Sequence, residues 1–327
     1  MANLSRLMPA AKFRIKRAIL AANHRFGNYR ERLWLIGDGR SGTTWVANLL
    51  NHRGRYRQLF EPFHPQMVSA ASFLRPHLYV RPDRAEERLQ AFASEVFSGR
   101  FAHPHVDSAN RALVYRGLLI KDIFAHLFAH WASLRFPEVR MLLLIRNPFA
   151  VALSKRRRQD WFWLTEPMDL LAQPDLHEDF LGPFEDIICE TSRKRNFFLN
   201  QILIWAVINY IPLRQFQPER LHVAFYEDIY ANPNQAIGAM LRFALPARAE
   251  PHLDMDSYIV NRLSWVSGAN STIRQGRSPV TSWKDELDRA EIDSGRQILE
   301  RFGMAGLYGD DGRPDSLVLR TLRMGPH

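Results

Sequence analysis

The chain has 327 residues and only one cysteine, Cys189. A disulfide framework is thereby excluded, and a reducing, cytoplasmic setting is expected. No run of eighteen apolar residues occurs, so no transmembrane helix is expected. Internal repeats and low-complexity tracts are missing. Metal-ligand spacing is missing too. His103-Pro104-His105 offers two imidazoles, but no cysteine or spaced acid completes a set, and no metal site is expected. Residues 1–30 contain no aspartate or glutamate at all. Positive charge, in contrast, is in excess: 44 Lys and Arg stand against 34 Asp and Glu, a net charge of +10. Such a balance points to an anionic partner, whether nucleic acid, acidic lipid or a polyanionic small molecule.

Residues 33–50, LWLIGDGRSGTTWVANLL, organise the rest. Leu33-Trp34-Leu35-Ile36 is a short apolar run suited to a buried parallel strand. Three glycines then allow a tight turn at Gly37-Asp38-Gly39-Arg40-Ser41-Gly42, and residues 43–50 take helical spacing. Strand, glycine loop and helix together make an anion cradle, where successive backbone N–H groups and the positive end of a helix dipole converge. Gly37-x-Gly39-x-x-Gly42 fits a dinucleotide fingerprint, with Glu61 near the place of its ribose-binding acid. Gly37 to Gly42 also fits a Walker A frame with Thr44 at the magnesium position. There, however, Thr43 replaces the required lysine, and the positive charge sits inside the loop at Arg40. A tight turn without a ligand is the plainest alternative.

A further frame fits better. Arg40-Ser41-Gly42-Thr43-Thr44-Trp45 resembles the 5′-phosphosulfate loop of sulfotransferases, whose donor is 3′-phosphoadenosine 5′-phosphosulfate (PAPS). The family needs no metal, in keeping with the missing Walker lysine. Glu61-Pro62, after an expected short strand ending at Phe60, resembles carbohydrate sulfotransferases, and protein-tyrosine sulfotransferases place a glutamate base in this region. The resemblance makes Glu61 the candidate general base; pairing with Arg40 or another cation is the alternative. Lys121-Asp122-Ile123 follows an expected strand over residues 112–120, where cytosolic members carry Lys-Thr-His and carbohydrate enzymes Lys-Asp-Pro. Lys121 is read as stabilising the bridging oxygen or the sulfonate, or else as a partner of Asp122 or Glu61.

The apolar run 139–145 is the firmest strand. It ends in Arg146-Asn147-Pro148, with Asn147 as helix cap and Pro148 as first helical residue. A magnesium-holding Walker B strand would end in aspartate instead. Arg146 with Ser154, eight residues on, resembles the family's 3′-phosphate site. Lys155-Arg156-Arg157-Arg158 reads as a solvated basic face. Trp161, Phe162 and Trp163 are stacking surfaces for an acceptor or packing under a lid. Tyr226-Glu227-Asp228, followed by Pro233, resembles the family's adenine-bordering stretch, which assigns Tyr226 to the nucleotide pocket. Residues 271–277 and Ser282-Trp283-Lys284 resemble the closing Arg-Lys-Gly loop, with Gln275 for its lysine; Arg274 and Gly276 would meet the 3′-phosphate, and Arg277 could supply the missing charge.

After Pro9, residues Ala11, Ile15, Ala18, Ile19 and Ala22 fall on one helical face, with Lys12, Arg14, Lys16 and Arg17 mostly elsewhere. A helix packed on the domain edge, a membrane-surface helix and a transit peptide all fit. The expected organisation is a basic helical extension over 1–30, one α/β domain over 31–308, and a polar, frayed tail over 309–327. The expected fold is P-loop-like and three-layered, a central mostly parallel sheet flanked by helices. The resemblance implies in-line sulfonate transfer from PAPS to an acceptor hydroxyl, carbohydrate or glycolipid, leaving 3′,5′-ADP. No nucleic acid is expected as partner, and the basic helix suggests peripheral membrane contact. An ATP-Mg kinase with an altered loop and a basic nucleic-acid or membrane-binding module are the rivals.

Overall fold

The computed structural model describes residues 10–23, 29–158, 161, 163–245, 254–255, 259–260 and 275–324. Five strands form one parallel sheet: β1 (Glu31–Ile36), β2 (Tyr56–Phe60), β3 (Gly117–Asp122), β4 (Val139–Ile145) and β5 (Leu221–Phe225), in the order β2-β3-β1-β4-β5. The apolar run in β1 serves both faces because side chains alternate across a strand. Leu33 and Leu35 enter one core with Leu142, Leu144, Leu49 and Ile237, while Trp34 and Ile36 enter the other with Met141, Leu143 and Trp205. Layers on both sides of a parallel sheet explain the nearly unbroken hydrophobicity of these strands.

The helices divide accordingly. α2 (Thr43–Leu50), α10 (Tyr226–Ala231) and α11 (Pro233–Ala244) cover the first face. α4 (Ala129–Arg135), α5 (Pro148–Arg156), the long α9 (Phe197–Gln215) and α12 (Arg289–Arg301) cover the second, with α3 (Glu87–Phe97) and α8 (Glu185–Arg193) alongside. Two short turns, α6 (Met168–Leu171) and α7 (Pro174–Leu176), lie between α5 and α8. α9 is long and apolar enough to cross a membrane, yet most of it is buried inside the fold as the core helix. The helices after the adjacent strands β1 and β4 leave to opposite faces. A crevice therefore opens between these strands at their carboxyl ends, the usual place for a ligand in such sheets.

Several elements differ from the sequence reading. Residues 112–116 lie outside the sheet; β3 starts at Gly117, opposite Glu31 of β1 and Tyr56 of β2. Pairing begins where both neighbours are present, and Lys121 and Asp122 lie within the strand, not beyond it. Tyr226, Glu227 and Asp228 open α10. Beyond Ser282-Trp283-Lys284, α12 starts at Arg289, after a capping box in which Asp288 accepts from the Glu291 N–H. Within the tail, residues 316–324 are ordered on the core: α13 (Ser316–Met324) packs Leu319 and Leu322 there, and Arg323 donates to the Leu221 carbonyl at 3.1 Å.

α1 (Ala10–Ala22) docks by a face other than the expected one. Lys16 donates to the Asn110 carbonyl, Leu20 is fully buried, and Asn23, just beyond the helix, donates to the Leu113 carbonyl at 2.8 Å. That leaves Ile15 and Ala18 exposed.

Candidate active site

The loop after β1 is shaped by packing on both flanks. Gly42 has φ 87°, and a Cβ there would come within 2.6 Å of the Tyr226 ring. Gly39 lies so close to the Trp161 ring that any side chain would collide with it. Arg40 itself takes a left-handed φ of 73°. Ser41, Thr43 and Thr44 are buried, and the N–H groups of the first turn of α2 face the loop's mouth. Trp45 lies against Tyr226, ring centroids 5.4 Å apart, and donates to the Val260 carbonyl at 3.0 Å.

Arg146, just past β4, is anchored at three points. One terminal nitrogen donates to the Arg40 carbonyl at 2.8 Å and the other to the Pro279 carbonyl at 2.6 Å, while its guanidinium lies 4.4 Å from the Tyr226 ring centroid. Arg40 Nε in turn donates to Ser154 Oγ at 3.1 Å. The two turns expected to hold opposite ends of one donor are thus in direct contact across the β1–β4 crevice. Among the described residues, buried Arg146 Nε and Ser41 Oγ here have no hydrogen-bond partner. Buried donors rarely stay unpaired, so the cleft suits an anion that accepts from them.

The site's second part lies beyond β3. Phe60 and Lys121 are register partners, and the Glu61 N–H donates to the Lys121 carbonyl at 2.7 Å. Glu61 takes φ 50°, and Lys121 Nζ donates to its Oε1. Among the described residues Oε2 has no hydrogen-bond partner. Lys121 Nζ also sits 4.6 Å from the Phe60 ring centroid. His64 packs edge-on against Trp163 and Phe124 and accepts the N–H groups of Gln66 and Met67 at Nδ1. Burial holds its pKa down to about 4, so it is neutral near pH 7.

Residues 30–301 match the family model described as the sulfotransferase domain. The chain belongs to the sulfotransferase family. Among solved structures it is similar to a sulfotransferase from Alicyclobacillus acidocaldarius, at 14% identity and TM-score 0.38, covering 70% of this chain and 87% of that one. It is also similar to the sulfotransferase domain of the Synechococcus PCC 7002 olefin synthase, at 16% and 0.40, covering 84% and 95%. A third is the sulfotransferase domain of the curacin biosynthetic pathway, at 15% and 0.39, covering 84% and 98%. Nothing among the curated proteins matches.

In this sulfotransferase some sequence candidates fall apart from the rest. Arg274 and Phe162 lie outside the described residues. Gly276 makes a turn with φ 69° and open space around it. Arg277 is engaged by Glu286, which Arg157 also binds, so it supplies no free charge. Trp161 is packing: it lies on Gly39 and 4.9 Å from Lys155 Nζ. His105 packs on Phe60 and His103 on Phe101; among the described residues no group of three or more His, Cys, Asp or Glu could hold a metal.

The reading of Lys155 as part of a solvated face is overturned. The side chains of Lys155 and Asp38 are each 2% exposed, and Nζ donates to both carboxylate oxygens at 2.8 and 2.7 Å. This pair ties the glycine loop to α5, which carries Ser154. Sequence reasoning missed it because the partners stand 117 residues apart. Glu227, read with Tyr226 and Asp228 in the sequence, holds local backbone. It accepts the Asn147 N–H at 2.9 Å and the Tyr308 hydroxyl at 3.2 Å, and burial pushes its pKa up to about 7. Asp122 accepts from Trp34 Nε1 at 2.9 Å and the Phe63 N–H at 3.3 Å, and burial raises it likewise to about 7. Both acids secure backbone beside the site.

Proposed function

We propose that this sulfotransferase transfers the sulfonate of PAPS to the hydroxyl of a carbohydrate or glycolipid. The observation that carries this reading is the joined pair of arginine turns: Arg146 on the Arg40 carbonyl and Arg40 on Ser154. Arg40, Ser41, Gly42, Thr43, Thr44 and Trp45 form the cradle for the 5′-phosphosulfate, with the loop amides and the start of α2 supplying donors. Arg146 and Ser154 take the 3′-phosphate, and Tyr226 borders the base. Arg274 and Gly276 belong to the same proposal as a closing loop.

The acceptor oxygen attacks sulfur in line as its proton passes to Oε2 of Glu61. The bond from sulfur to the 5′-phosphate oxygen breaks, its electron pair stays on that oxygen, and 3′,5′-ADP leaves. Negative charge grows on the leaving oxygen and spreads over the sulfonate. Arg40, the loop amides and Lys121 stabilise it more strongly in the transition state than in the ground state. Binding energy from the distant 3′-phosphate orients the sulfur.

Ligand-induced thermal shifts test the donor assignment. 3′,5′-ADP raises the melting temperature and ATP-Mg does not. Arg146→Ala weakens 3′,5′-ADP binding roughly 10- to 100-fold, the loss of one charge-assisted anchor. An unchanged affinity in that variant would sink the 3′-phosphate assignment. Labelled PAPS offered with a panel of glycan, glycolipid, phenolic and amine acceptors then sorts the acceptor.

A further inference from the structure

The charge excess is not used up by the proposed donor site. α1 and residues 110–116 lie together, pinned by the contacts of Lys16 with Asn110 and of Asn23 with Leu113. Neither residues 1–30 nor residues 108–121 contain an acid. On the outer surface of this pair Arg14, Arg17 and Arg111 are exposed. The same two segments carry Ile15, Leu113 and Val114, 64%, 45% and 68% exposed. Most exposed large apolar side chains of a soluble domain are scattered singly. Three on two segments that also expose arginines are not accounted for by packing, because α1 docks through Lys16 and Leu20 instead.

We infer that this face docks on an anionic lipid bilayer. Arginines beside a membrane are drawn to acidic headgroups, and neighbouring aliphatic side chains enter the headgroup–acyl boundary. Nucleic acid would satisfy the arginines but gives Ile15, Leu113 and Val114 nothing to contact, whereas a lipid surface satisfies both. The geometry adds a consequence. Residues 110–116 lead into the amino end of β3, while Glu61 and Lys121 sit at the carboxyl end of the sheet. Six residues at about 3.3 Å each separate the two edges by roughly 20 Å. A membrane on this face leaves the catalytic edge turned towards water, open to an acceptor in solution or on an extended headgroup. The inference is independent of the donor assignment, since it needs no nucleotide.

The test is sedimentation of the full chain with phosphatidylcholine vesicles and with vesicles containing 30 mol% phosphatidylserine, at about 0.1 M salt. Binding to the acidic vesicles alone is expected. Arg14→Glu, Arg17→Glu and Arg111→Glu each weaken it by at least about fivefold, the weight of one surface charge. Leu113→Ser combined with Val114→Ser weakens it without changing the melting temperature or the transfer rate to a soluble acceptor. A short RNA duplex is run in parallel. Equal binding to neutral and acidic vesicles, no vesicle binding, or tighter binding to RNA that the Leu113/Val114 variant leaves unchanged would each overturn the inference.

Discussion

Two lysine–carboxylate pairs stand at the same edge of the sheet, and they are built differently. Lys155 and Asp38 are sealed, each 2% exposed, with both carboxylate oxygens occupied. Lys121 and Glu61 stand at the mouth, with side chains 3% and 11% exposed and only Oε1 occupied. In the sealed pair burial raises the pKa of Asp38 and lowers that of Lys155, each opposed by its partner. Its geometry leaves no oxygen for a proton from outside, and it joins the glycine loop to α5. The open pair has an oxygen to spare, on a residue held at φ 50° past the end of its strand. One pair is suited to holding the cradle, the other to working in it.

The largest break in this comparison is Glu61→Gln. It removes the proposed proton acceptor and keeps the shape, so kcat falls about 10²- to 10⁴-fold. The melting temperature and 3′,5′-ADP affinity stay near wild type. Next comes Lys155→Met, which strands a buried carboxylate. A stability loss of about 3–5 kcal/mol is expected by chemical denaturation. Adding Asp38→Asn to that variant restores much of the loss, because the unpaired charge is gone.

The smallest effect is on pH dependence. Burial holds His64 down to about 4 and His126 to about 3. A depressed histidine contributes stability that is present above its unfolded pKa, near 6.5, and is lost as pH falls towards the folded value. Asp122 and Glu227, raised to about 7, work the other way: their contribution is present below the unfolded carboxylate range and is lost as pH rises towards 7. Buried His77 and half-buried His222 join the histidine side, so the net result is loss on acidification below about 6.5. His126→Leu lessens that acid loss, and Asp122→Asn steepens it. Denaturant midpoints at pH 4.5, 5.5 and 6.5 read both.

Much of this was legible in the sequence. The run 139–145 with Asn147 and Pro148 gave β4 and the start of α5 to the residue, because the apolar stretch and the cap are both local signals. The glycine loop and Arg146 were found the same way, and their meeting follows from adjacent strands. What failed depends on partners far along the chain. Lys155 looked solvated because its neighbours are arginines, and only folding brings Asp38 to it. Residues 112–114 looked like strand because Leu113 and Val114 are β-formers, yet the pairing of β3 with both neighbours starts only at Gly117. The tail looked polar because its leucines and arginines alternate around a helix, whose apolar side docks on the core.

Rapid-quench single turnover decides between the two pairs most directly. Enzyme in excess over labelled PAPS is mixed with an acceptor that the panel has identified, for wild type, Glu61→Gln and the Asp38→Asn/Lys155→Met double variant. The account predicts that Glu61→Gln binds the donor normally but transfers sulfonate at least 100-fold more slowly, while the double variant, once folded and saturated, transfers within about tenfold of wild type. Transfer at the wild-type rate by Glu61→Gln would contradict it.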